Sequence, residues 1–190
     1  MFPPIAWGEA LFIKDIFPDA RLLLYCELFT QPRGADIGFD PEFPKISSED
    51  LWIRVMNAHP LMALNASDWG IAPTAWQKGQ FPQDYRDRIS VIHDGVDTDL
   101  FAPRADAVFR VPGTGLALTR DSQVVTYVAR SLVPHRGFHS FMRAIPEIQR
   151  RRPQAQIVIA GSDEVSYSRR LPPGDSYRKR LLKELDGRID

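Results

Sequence analysis

Short apolar runs alternate with segments of helical periodicity along the whole chain, the pattern of a mixed α/β protein. Residues 6–17 place Leu11, Phe12 and Ile16 around Lys14 and Asp15, which predicts a helix ending at Pro18. Arg21 to Leu28 is short and mostly apolar, the mark of a buried strand. Residues 30–45 are rich in Gly, Pro and Asp without a period and read as a long surface loop, a length that is often functional. Ser47 with Asp50 makes a capping pair for a helix carrying Leu51, Val55 and Met56 and fading near Ala66. Pro60 should kink or split that helix, because it has no N–H to donate. Asp68 to Ala72 predicts a strand, Thr74 caps a short helix over 75–80, and Ile89 to Ile92 is a further apolar run.

Beyond a Gly- and Pro-containing stretch, the second half is more regular. Val124 to Ala129 is a strand that is β-branched or aromatic up to Ala129. Phe138 to Arg150 carries Phe141, Met142, Ile145 and Ile148 on one helical face, with Pro146 as a candidate kink. Gln156 to Ala160 is again apolar. Strand, helix and strand in this order form a β-α-β unit, which requires parallel pairing. Pro172-Pro173-Gly174 then precedes Asp175, a cap for a basic helix over 176–185. The expected fold class is α/β, two Rossmann-like parallel sheets flanked by helices: residues 1–98, a linker or hinge over 99–122, and residues 123–190.

Composition changes this picture in one respect. The 190 residues carry 24 Lys plus Arg and 24 Asp plus Glu, a net charge of zero that removes the simplest argument for a nucleic-acid partner. Residues 1–100 nevertheless hold 8 basic and 15 acidic residues, a net −7, and residues 101–190 hold 16 and 9, a net +7. Cys26 is the sole cysteine and cannot form an internal disulfide. The N-terminus lacks the pattern of a secretory signal, and no apolar run approaches the roughly 18 residues that span a bilayer. The expected localisation is cytoplasmic.

Candidate chemistry follows from the rule that open parallel sheets bind ligands at the carboxyl ends of their strands. Arg130 stands at the end of the 124–129 strand, and Arg136-Gly137 just before the next helix. An anion there meets free backbone N–H groups, the helix dipole and two guanidinium forks. Gly137 permits close backbone approach, and a structural ion pair for Arg130 explains the spacing as well. Gly161-Ser162-Asp163 follows the second strand on the same edge, and His93 precedes an Asp94-Gly95 turn. The four histidines, His59, His93, His135 and His139, have no metal-ligand spacing, and there is no Walker A loop or nucleophile elbow.

Two segments carry a family resemblance: Ser90-Val91-Ile92-His93-Asp94-Gly95-Val96-Asp97-Thr98-Asp99-Leu100-Phe101, and Val124 through Arg130 continuing to Arg136-Gly137-Phe138. In this order they resemble the hinge strand and donor-domain entry of family 4 (group 1) glycosyltransferases of GT-B fold. Trp7-Gly8-Glu9, Phe39 to Pro44 and Pro73 to Gln77 resemble a bacterial subgroup of that family. The resemblance implies transfer of a sugar, with retention, from a nucleoside-diphosphate sugar to a hydroxyl of a glycan, lipid or small molecule, with no cofactor and no metal. It implies that Arg130 and Arg136, the latter where the family usually has lysine, hold the donor diphosphate. Gly137, Gly161, Ser162 and Asp163 become donor-side loops, and Thr74, His93, Gly95 and Asp97 line the hinge and cleft. Pro4-Ile5-Ala6 stands where the subgroup often has His-Pro-Gly, so no catalytic base is assigned.

Against the two full domains of family members, this comparison casts the chain as an internal, inactive fragment. Peripheral membrane association of the intact enzyme and self-association of the fragment are the accompanying partner expectations. The rival reading is a non-catalytic nucleotide or nucleic-acid binding module, resting on Arg150-Arg151-Arg152, Arg169-Arg170 and Arg178-Lys179-Arg180. These clusters lack the interleaved aromatics that stack bases.

Overall fold

The computed structural model describes residues 3–6, 8–32, 34–44, 49–166 and 168–189; Trp7 of the Trp-Gly-Glu segment and the Ser47 cap lie outside them. The chain divides into two compact units, Met1–Phe101 and Ala102–Asp190. Each holds a parallel sheet with flanking helices, the α/β, Rossmann-like class expected from the pattern. No helix among the described residues is long and apolar enough to cross a membrane.

In the first unit, β1 (Leu23–Tyr25), β2 (Trp69–Ala72) and β3 (Ile89–Val91) pair in parallel in that order, with Leu24 opposite Gly70 and Gly70 opposite Ile89. Pro4 bridges Tyr25 on the far side of β1, so residues 3–5 extend the sheet edge. This pairing corrects the expected helix over 6–17. The segment starts as sheet edge, turns at Gly8 (φ 88°), and only Ile13–Ile16 (α1) is helical. Ile5 and Ala10 fill the core, while Phe12 and Ile16 are 66% and 67% exposed.

The next helix splits as expected, but at Asn57 rather than at Pro60, giving α2 (Glu49–Met56) and α3 (Ala58–Ala66). Pro60 thereby falls in the first turn of α3, where a missing N–H costs nothing. Asn57 is occupied at the break: its side chain donates to the Thr30 carbonyl (2.8 Å) and accepts from the Thr30 N–H (3.2 Å). Two short helices, α4 (Ala75–Gln80) and α5 (Gln83–Arg86), lead into β3.

The core beneath this sheet is built from Ile5, Leu22, Leu24, Cys26, Phe29, Ala63, Leu64, Ala72, Phe81 and Ile89. Gly70 is set by packing: a methyl there would lie 2.8 Å from the Cys26 sulfur and 3.1 Å from Ile89 Cγ1. Burial pushes the Cys26 thiol up to about 12, which leaves it an inert core side chain.

In the second unit, part of the stretch read as a linker forms an antiparallel hairpin, β4 (Phe109–Arg110) with β5 (Ala117–Leu118). β6 (Val124–Ser131) and β7 (Gln156–Ser162) pair in parallel, connected by α6 (Phe138–Arg151). Both strands outrun their predicted ends. The helix passes through Pro146 without interruption, and Phe138, Met142 and Ile145 are buried beneath it. Tyr127 of β6 lies against Phe138 and Phe141, with ring centroids 5.4 and 4.9 Å away.

The final helix, α7 (Tyr177–Glu184), is capped by Ser176, whose hydroxyl accepts the Lys179 N–H at 3.2 Å. The predicted cap, Asp175, instead accepts from the Ser176 N–H and pairs with Arg180. A hydroxyl one residue later reaches the third N–H of the turn, and the longer-range carboxylate is left for the arginine. On the other face of β6, Val124 is 37% and Val128 76% exposed.

Candidate active site

The carboxyl edge of the second sheet is shaped by an irregularity. Regular pairing of β6 with β7 stops at Val128 and resumes at Ser131, so Arg130, expected just beyond the strand, lies inside its irregular end. The opposing residue explains why. A methyl on Gly161 would come within 2.5 Å of the Ala129 carbonyl and 2.6 Å of Leu132 Cδ2. Gly161 is therefore a strand residue that lets two backbones approach, rather than the loop residue expected from sequence.

After β6 the chain turns through Leu132 and Val133, both buried, into a 3₁₀ turn over Pro134–Arg136. Gly137 closes the turn with φ 74°, a left-handed conformation that glycine adopts without penalty, and α6 starts at the next residue. No side chain caps that start. The Arg136 carbonyl accepts the Tyr127 hydroxyl at 2.8 Å, which fixes the turn on the sheet. Burial raises the Tyr127 phenol, and the Arg136 charge partly counteracts it. Arg130 and Arg136 are both exposed and belong to the same β6-to-α6 connection.

The neighbouring connection is tied to it side chain by side chain. The Ser166 hydroxyl donates to Ser131 Oγ (2.8 Å), and Ser168 Oγ meets His135 Nδ1 (2.7 Å). Ser162 Oγ accepts the Glu164 N–H (3.0 Å), and its carbonyl accepts the Leu132 N–H (2.9 Å). Asp163 faces Arg178 of α7, whose Nε lies 3.1 Å from both carboxylate oxygens. Sequence reasoning did not foresee these pairings of Ser131, His135, Ser166 and Arg178, whose partners are 15 to 35 residues away.

In the basic clusters that favoured a nucleic-acid module, Arg150, Arg151, Arg178 and Arg180 are engaged with carboxylates. Arg150 and Arg151 both pair with Glu147, holding its carboxyl down at about 2; Arg143 pairs with Glu184 and Arg180 with Asp175. A cavity of about 550 Å³, lined by Phe109, Leu118, Arg120, Val124, Thr126 and Val158 among others, lies under the β4–β5 hairpin. It touches the amino-terminal half of β6 and so is separate from the arginine-bearing end.

The first sheet has its own carboxyl edge. The Tyr25 hydroxyl donates to Asp94, 3.0 and 2.9 Å from its two oxygens. Thr74 caps α4 by accepting the Gln77 N–H, and Gln77 Nε2 donates to the Glu27 carbonyl (3.1 Å). His93 Nδ1 accepts the Gly95 N–H (2.9 Å), with Gly95 at φ 81°. Asp97 Oδ1 accepts the N–H groups of Asp99 and Leu100. These contacts give His93, Gly95 and Asp97 roles in shaping the segment that leaves β3.

Residues 4–101, just over half of the chain, match the glycosyl transferase family 4 group. The chain belongs to that family. A 68-residue stretch is 44% identical to the GDP-mannose-dependent alpha-(1-6)-phosphatidylinositol monomannoside mannosyltransferase of Mycolicibacterium smegmatis. That stretch is 35% of this glycosyl transferase family 4 chain and covers 17% of the relative. Family membership accords with two parallel sheets that each present a polar carboxyl edge, the placement at which open α/β sheets take ligands.

Proposed function

We propose that the chain takes part in glycosyl transfer from a nucleoside-diphosphate sugar to a hydroxyl acceptor, with retention at the anomeric carbon. The observation that carries the reading is the placement of Arg130 and Arg136 on one connection at the carboxyl edge of β6, beside the uncapped start of α6. A diphosphate there is met by guanidinium groups and by the positive end of a helix. In the transfer, the bond from the anomeric carbon to the phosphate oxygen breaks and its electron pair leaves with the diphosphate. A new bond forms to the acceptor oxygen, whose proton is released. Retention by front-face attack brings the acceptor hydroxyl beside the departing phosphate oxygen, which then takes that proton.

Positive charge at the diphosphate stabilises the leaving group as it forms, an effect of about 10² to 10³ in rate for a single well-placed donor. The acceptor is a glycan, lipid or small molecule, and the reaction requires no cofactor beyond its substrates. The name of the mycobacterial relative makes GDP-mannose the first donor to test.

Calorimetry of the 190-residue chain with GDP-mannose and with UDP-glucose tests the reading. Arg130→Ala is expected to weaken binding of the preferred donor at least tenfold. Equal affinity in wild type and variant, or no affinity for any nucleoside diphosphate, overturns it.

A further inference from the structure

The cavity under the β4–β5 hairpin lies wholly within the second unit. Three stretches of chain wall it. Phe109 and Leu118 are partners across the hairpin ladder, Pro103 and Ala107 belong to the segment before it, and Val124, Thr126 and Val158 form the sheet side. Thr126 and Val158 are register partners and so share a side of the strand pair. Tyr127, the next residue, points to the opposite side, against Phe138 and Phe141. The cavity therefore lies across the sheet from α6. Its volume of about 550 Å³ falls within the range, roughly 300 to 1,000 Å³, of pockets that take small molecules.

The charged residues lining it are Arg104 and Arg120, both basic. Arg104 is already matched, with its Nη2 3.0 Å from Asp106 Oδ2. The Arg120 side chain has no ion pair or hydrogen bond among the described residues. The turn that carries it is nevertheless fixed: Ser122 Oγ accepts the Thr119 N–H (3.0 Å) and the Thr119 carbonyl accepts the Ser122 N–H (3.1 Å). An unmatched guanidinium thus stands on a held turn beside apolar walls, of which Leu118 is 5% and Phe109 52% exposed. An inorganic anion would leave those walls wet, and a neutral apolar molecule would leave the guanidinium unused. A molecule with an apolar body and one carboxylate satisfies both. Apart from Phe109 the apolar walls are aliphatic, which suits an alkyl chain.

We propose that this cavity is a binding site for a free medium-chain carboxylate, its chain against Phe109, Leu118, Val124 and Val158 and its carboxylate paired with Arg120. The site is distinct from the Arg130-bearing end of β6, and it stands or falls independently of the glycosyl-transfer reading. A bound chain bridges the hairpin and the strand pair, and so holds β4–β5 against the sheet.

Saturation-transfer NMR on the 190-residue chain, with decanoate and the neutral decanamide as probes, tests the proposal. Decanoate is expected to bind about fivefold more tightly than decanamide at low salt, the two converging near 1 M salt, where the screening length is about 3 Å. Arg120→Gln should weaken decanoate about fivefold and leave decanamide unchanged. Arg104→Gln, whose charge Asp106 already offsets, should weaken it no more than about twofold. Phe109→Ala should weaken both probes about threefold. The Val111 amide, which donates to the Leu116 carbonyl across the hairpin at 2.8 Å, should exchange about threefold more slowly with decanoate bound.

No binding of decanoate, equal affinity for the two probes at low salt, or an Arg120→Gln chain that binds decanoate like wild type overturns the proposal. Loss of decanoate in Arg130→Ala but not in Arg120→Gln places the anion at the other end of β6 and does the same. A chain that sediments as a dimer, dissociated by Phe109→Ala, assigns the cavity to a second copy and also overturns it. Vesicles of phosphatidylcholine with phosphatidylglycerol separate the two sources of an acyl anion: retention that Arg120→Gln abolishes assigns the site to a membrane surface and overturns the free ligand.

Discussion

Gly161 gives the most direct quantitative test of the second unit. Alanine at this position would put its methyl 2.5 Å from the Ala129 carbonyl oxygen and 2.6 Å from Leu132 Cδ2. The first neighbour is backbone at the end of the β6 ladder, and the second belongs to a side chain only 4% exposed, so neither yields without disturbing the strand pair. Overpacking of this kind costs about 1–3 kcal/mol, and a backbone obstacle places Gly161→Ala near the upper limit, about 3 kcal/mol. With a urea m-value of about 1.5 kcal/mol/M, the unfolding midpoint should fall by about 2 M. Gly137→Ala is the natural comparison. Its φ of 74° is unfavourable for alanine, but no atom lies within 4 Å of the added methyl, so the cost is about 1 kcal/mol. Hydrogen exchange of the β6 and β7 amides follows this unit. Tryptophan fluorescence reports only the first, because all four tryptophans precede residue 77. A Gly161→Ala midpoint lowered by less than that of Gly137→Ala would refute the packing argument.

Cys26 should react with a thiol reagent at pH 8 only as fast as the first unit opens, since burial holds its thiol up at about 12; rapid labelling of the folded chain would contradict its core position. Asp68 accepts the Leu22 N–H at 2.7 Å and pairs with Lys14 at 2.9 Å, and these contacts hold its carboxyl below the ordinary carboxylate value. The folded group is the stronger acid, so its contribution is present above the unfolded value and is lost as pH falls through the folded one. Asp68→Asn should therefore have a lower urea midpoint than wild type at pH 7 and approach it at pH 3; a constant difference would show that the charge is irrelevant.

Much of this fold was readable from local pattern. The β-branched run at 124–128 and the helical spacing of Phe138, Met142 and Ile145 agree with their tertiary burial, so propensity and packing point the same way there. The failures have one origin. At residues 6–17 the periodicity was helical, but Pro4 pairs with Tyr25, and sheet pairing with a residue 21 positions away overrode the local preference. Gly161 could not be told from a turn glycine, because the atom that demands it, the Ala129 carbonyl, lies far along the chain. Arg130, Arg136 and Gly137 were legible as neighbours on one sheet edge from the strand-to-helix order alone. The Asp163 carboxylate faces Arg178 of α7, a pairing that no local pattern announces.

The exposed valines of β6 bear on how the second unit behaves as a material. Parallel strands are ordinarily sheltered on both sides, and a bare valine-studded face is a template for clumping when chains meet at high concentration. Anyone producing Ala102–Asp190 on its own inherits Val124 and Val128 as a stickiness problem. Threonine at both positions keeps the branched shape that the strand favours while adding a hydroxyl to the wetted side. The purified yield of that double variant, set beside the parent sequence, would put a practical number on what the exposed valines cost.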